Sequence, residues 1–131
     1  MPSRAAVWAG VGWVAFGLVL VLEVLSMGKA GLSKFQDAAG WQYWFEQFGY
    51  PRPLAFVIGV VEMFGAALLL VPRLASYAAL GLAVVMVGAL QAVLTTDTDL
   101  GWFDPVLHLV MLGVIGGVRW PRRWRPPETS R

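Results

Sequence analysis

Apolar stretches separated by short polar connections make up most of this chain, and the first of them sets the terms for the rest. From residue 7 to about residue 27 it carries a single charge, Glu23. A helix of about 21 residues at about 1.5 Å rise crosses about 30 Å of hydrocarbon. A cleaved signal peptide is the rival reading, but it asks for an apolar core of about 7–15 residues before a small-x-small site. Ser26-Met27-Gly28-Lys29-Ala30 is a poor site of that kind. The stretch reads as a retained first span.

The rest of the composition points the same way. Of 131 residues, 58% are hydrophobic and only 14% charged, which is more apolar surface than so small a soluble domain can hide. Lipid is the natural sink. Seven Trp, seven Phe and three Tyr suit aromatic belts at the membrane interface. The chain has no cysteine and one histidine, His108. Thiolate catalysis, cysteine-held clusters, a multi-histidine metal centre and a bis-histidine haem within this chain are thereby excluded.

Three further spans follow, over about 54–71, 74–95 and 105–120. Pro72-Arg73 is too short a link for anything but an antiparallel return. Asp104-Pro105 reads as a helix start, with a carboxylate cap followed by proline at the first helical position. In the third span Gly81, Gly88, Gln91 and Thr95 share one face, where small residues let helices approach and a polar side chain bonds across. The expectation is an all-α integral membrane four-helix bundle, one domain over 1–125, followed by a disordered tail over 126–131.

The longest segment outside the spans is 28–53, loosened by Gly28, Gly31 and Gly40. Within it Trp41, Trp44, Phe45 and Phe48 fall at i, i+3, i+4 and i+7, so four aromatics share one helical face. This amphipathic helix between spans one and two either lies in the membrane interface or caps the bundle. Gly49-Tyr50-Pro51-Arg52-Pro53 ends it with turn chemistry.

Arginine and lysine set the orientation. With four spans both termini share one side, which collects Arg4, Arg73, Arg119, Arg122, Arg123, Arg125 and Arg131, against Lys29, Lys34 and Arg52 on the other. The positive-inside rule gives a multi-pass protein of the cytoplasmic membrane with N and C termini inside. The C-terminal arginines, beside a hydrophobic span, suit anionic lipid headgroups rather than nucleic acid.

Polar side chains inside the spans are few, and they fall at one level. An unpaired charge at mid-bilayer costs about 2.5–3.5 kcal/mol on insertion scales, so Glu62, set in the apolar run 59–71, needs a partner, a proton or a wet cavity. Glu23, Glu62, Gln91 and His108 each lie in the outer half of a different span, with Lys34 above them as a countercharge. Together they define a candidate polar pocket open to the outer face. Each has a plainer role: Glu23 reaching the interface, Gln91 bonding between helices, His108 bonding Asp104 one turn away, Glu62 paired structurally with Lys34. Carboxyl and imidazole groups at a dry–wet boundary suit a quinone, which takes up protons with its electrons. They equally suit a lipid headgroup or a small apolar solute.

Several motifs in order resemble one known family. Gly31-Leu32-Ser33-Lys34-Phe35 follows the first span and Phe48-Gly49-Tyr50-Pro51 precedes the second. Val61-Glu62-Met63-Phe64-Gly65-Ala66-Ala67-Leu68-Leu69-Leu70, the arginine turn at Arg73 and Ala78-Ala79 complete the series. Over about residues 10–118 the chain resembles the DoxX family of small four-helix membrane proteins. The resemblance implies a membrane subunit or accessory of a quinone-linked oxidoreductase, with Lys34 and Glu62 as the positions to carry over. No catalytic set can be transferred from it, and the chain itself is expected to hold no metal and no covalently bound cofactor, with a quinone as the ligand the pocket would take. It further implies partner subunits in the membrane or at its surface. A lipid- or solute-binding protein and a purely structural subunit, packing through faces such as Gly81/Gly88, are the other two readings.

Overall fold

Five helices and no strand make up residues 1–120, which a computed structural model describes. They are α1 (Arg4–Gln36), α2 (Ala38–Gln47), α3 (Leu54–Leu69), α4 (Ala75–Thr95) and α5 (Phe103–Arg119). Arg122, Arg123, Arg125, Arg131 and the tail expected to be disordered lie outside the described residues.

Pairings between side chains give the directions. Phe35 meets Phe56, with ring centroids 5.7 Å apart, while Gly31 lies against Gly59 and Met63, so α1 and α3 are antiparallel. Gly65 lies against Leu82 and Gly116 against Ala79, and His108 meets Glu23 while Arg119 stacks on Phe16. Helices α1, α3, α4 and α5 thus alternate in direction, each touching the next, with α5 returning to α1. Their shared core holds Met27, Leu69, Leu82, Leu112 and Ile115.

Helix α1 corrects the first expected boundary. It does not stop near residue 27 but continues to Gln36, 33 residues or about 50 Å of helix. From the sequence, Gly28 and Gly31 suggest a loosened backbone. In the structure Gly31 is buried where α1 crosses α3, and a Cβ there would lie 2.6 Å from the Gly59 carbonyl oxygen. The missing side chain permits close approach instead of breaking the helix. One residue, Asp37, then separates α1 from α2: its backbone N–H donates to Ser33 O, and its side chain accepts from Gly40 N at 3.2 Å. That cap satisfies one of the free amide groups at the start of α2.

Two other local expectations change. Helix α5 begins at Phe103, and Asp104 sits in its first turn without capping it, where a carboxylate still complements the helix dipole. Gly81 is exposed with open space around it, and Gly88 lies nearest Tyr50; the internal contacts of α4 run through Ala75, Ala79, Leu82 and Met86.

Two helices, α1 and α4, are long and apolar enough to cross a membrane. Neither is a soluble core helix, because both present exposed rows such as Val14, Leu18 and Leu25 on α1 and Val84, Val87 and Leu94 on α4. Helices α3 and α5, with 16 and 17 residues, are shorter. From Arg4 to Ala15 every residue of α1 is exposed, so its first three turns stand clear of the other described helices.

Candidate functional site

At the end of the molecule where α2 lies, the helices part around a cavity of about 470 Å³. Its wall is mostly apolar. Met27 and Met86 lie at its deep end beside Glu62 and His108, and Trp41, Phe45 and Phe48 of α2 cover it. Three of the four aromatics on the α2 face therefore turn inward, and α2 caps the assembly. Trp44 stacks on Phe48 at 5.9 Å.

Lys34 and Glu62 reach this wall as a pair. Lys34 Cβ packs beside Gly59, and a helical side chain leans toward the N-terminus of its own helix. Because α3 runs antiparallel, that lean carries the ammonium one turn along α3, to Glu62. Lys34 Nζ donates to Glu62 Oε2 at 2.7 Å and to Ala30 O at 3.4 Å, and lies 4.2 Å from the centre of the Trp41 ring. The two side chains are 5% and 3% exposed. Desolvation makes each charge costly alone, and the partner offsets that cost.

A second pair joins α5 to α1. His108 Nδ1 lies 2.8 Å from Glu23 Oε2. The hydrogen bond requires one proton between imidazole and carboxyl. Glu23 is fully buried and so does not reach the interface, and its Oε1 has no hydrogen-bond partner among the described residues. His108 is 18% exposed and lines the cavity, with Asp104 one turn nearer the rim. Its partner is thus a carboxylate on another helix, not Asp104 in a local cap.

Four of the five candidate residues come together: Lys34, Glu62 and His108 on the cavity wall, with Glu23 directly behind His108. Gln91 does not join them. It is exposed on α4, outside the cavity, and its carbonyl accepts from Thr95 Oγ1 at 2.7 Å. Its register was one position off the inward face, which Ala89, Ala92 and Val93 occupy. Trp41, which holds the Lys34 ammonium against its ring, and Tyr50, whose hydroxyl donates to Gly88 O at 3.5 Å, join the site although the sequence places them only on an aromatic face and in a turn. The aromatic spacing of α2 was the available signal for Trp41; Tyr50 had none beyond its place in a turn.

The arrangement offers two hydrogen-bonding centres in an apolar chamber. It suits a molecule with a compact polar head and an apolar remainder. Among the described residues no group of three His, Asp or Glu side chains is placed to hold a metal ion.

The fold and the cavity define an all-helical protein with buried acid–base pairs and two helices long and apolar enough to cross a membrane. The family model of the DoxX-like family matches residues 18–115, which include Glu23, Lys34, Glu62 and His108. The chain belongs to the DoxX-like family. No curated protein and no solved structure matches it.

Proposed function

We propose that this protein spans the cytoplasmic membrane four times and serves as a subunit or accessory of a quinone-linked redox assembly. In this reading α1, α3, α4 and α5 are the spans, and the cavity binds the quinone head. The shorter α3 and α5, about 24 and 26 Å long, are accommodated by local thinning of the bilayer. The bias of seven basic residues against three supports N and C termini on the cytoplasmic side.

One observation carries the reading: Lys34 and His108 stand in a mostly apolar wall, each with a carboxylate partner. A quinone head presents carbonyl oxygens that accept hydrogen bonds, and its reduction requires protons. The Lys34 ammonium is held in place by Glu62 and Trp41 to donate to one such oxygen. His108, backed by Glu23, is placed to donate or pass a proton. Electrons come from a partner subunit, because this chain carries no residue set for an electron-carrying centre of its own.

The apolar lining equally supports a second reading, in which the same cavity holds a lipid or a small apolar solute. Titrating the purified protein in detergent with a short-chain benzoquinone or naphthoquinone separates the two. Saturable quenching of tryptophan fluorescence that is weakened by His108→Phe supports the quinone. Unsaturable quenching, together with lipid that stays bound through purification, supports the second reading.

A further inference from the structure

The cavity has two rims of opposite character, and only one of them faces the apolar exterior. One rim is formed by Leu100, Gly101 and Asp104, at the loop between α4 and α5. The other lies between α3 and α4. These helices touch where Gly65 meets Leu82, and toward the α2 end Leu54 and Ile58 of α3 and Ala89 and Val93 of α4 all line the cavity. Val84 marks the edge of that opening: it lines the cavity and is also 66% exposed on the apolar outside of α4. One turn further on is Gly88, where an added Cβ would meet only Tyr50 Oη, at 3.9 Å. What spans the gap there is the Tyr50 hydroxyl, reaching Gly88 O at the long distance of 3.5 Å.

We infer that the gap between α3 and α4, bounded by Val84, Gly88 and Tyr50, is a lateral portal through which a single-tailed amphiphile passes from the bilayer into the cavity. The inference rests on the membrane reading above, since it requires lipid outside α4. The chemistry of the two ends selects the occupant. A polar head finds Lys34 and His108 at the deep end, beside Glu62 and Met86, while Val84 at the same end leaves the tail an apolar way out. Glycine at position 88 keeps the passage wide, and the Tyr50 hydroxyl closes it by one weak, reversible hydrogen bond.

A chain without cysteine allows the portal to be tested without any quinone. Ala89→Cys puts a thiol on the cavity wall, and Val87→Cys puts one on the exposed face of the same helix. Each variant, in phosphatidylcholine vesicles, is treated with an apolar maleimide and with a charged, membrane-impermeant one. Adding Gly88→Phe plugs the opening. The expected result is that the plug slows apolar labelling at position 89 severalfold, leaves charged labelling there unchanged, and leaves position 87 unaffected. An unchanged elution volume and helical circular dichroism show that the plugged protein is folded; if it is not, Val84→Trp replaces the plug. The inference is overturned if the plug leaves apolar labelling at position 89 unchanged, or slows both reagents alike. Loss of quinone binding would not affect this readout, so failure of the portal and failure of the quinone reading are told apart.

Discussion

Lys34 Nζ meets Glu62 Oε2 at 2.7 Å because two glycines, Gly31 and Gly59, let α1 and α3 cross almost backbone to backbone. The crossing sets Lys34 Cβ beside Gly59, and the lean of its side chain does the rest. A buried ion pair is thus a consequence of a helix contact that contains no charge.

Breaking this pair from one side leaves a lone charge in an apolar wall. Lys34→Met or Glu62→Leu alone is expected to destabilise the fold by about 3–5 kcal/mol, and the double variant Lys34→Met/Glu62→Leu to recover most of that loss. Unfolding of the purified protein in mixed micelles measures all three. Equal stability of a single and the double variant would contradict the pairing.

Glycines of this chain divide by what surrounds them. Gly31→Leu forces α1 away from α3 and is expected to cost about 1–3 kcal/mol by overpacking. Gly81→Ala and Gly28→Ala meet nothing within 4 Å and are expected to stabilise their helices by up to about 1 kcal/mol. The same unfolding assay ranks them.

Not every ion pair matters. Arg52 Nε donates to Glu46 Oε2 at 2.8 Å, but the two side chains are 60% and 52% exposed. Glu46→Ala is expected to change stability by less than about 1 kcal/mol. A loss comparable to that of Lys34→Met would mean that this pair is covered in the membrane.

His108 and Glu23 form the second buried pair, and removing the imidazole leaves the Glu23 carboxyl with no partner among the described residues. His108→Leu is expected to destabilise the protein by about 3–5 kcal/mol, and Glu23→Leu added to it to restore part of the loss. Additive losses in the double variant would show that the two residues act separately.

Much of this arrangement was legible in the sequence, and the exceptions have physical causes. Helices α3 and α4 can be placed nearly to the residue, because apolar runs bounded by Pro53 and Pro72-Arg73 leave little choice. Lys34, Glu62, Glu23 and His108 could be set at one level by counting turns from the loops. Gln91 could not be excluded in that way, since depth says nothing about which face of α4 turns inward. The end of α1 is not legible in the sequence, because a glycine that breaks a helix and a glycine that allows a crossing look the same until the partner helix is known. The inward turn of α2 was one of two readings that aromatic spacing left open, and the Lys34–Trp41 contact favours the cap.

The central claim is that the polar pairs in the cavity wall recognise the ligand. It is tested most directly by titrating a short-chain quinone into Lys34→Met/Glu62→Leu, the double variant expected to stay folded, beside the unaltered protein. The loss of a charged hydrogen bond worth about 1.5–3 kcal/mol predicts affinity weaker by about 10- to 150-fold in a double variant that still unfolds cooperatively. Equal affinity in a folded double variant would contradict the account.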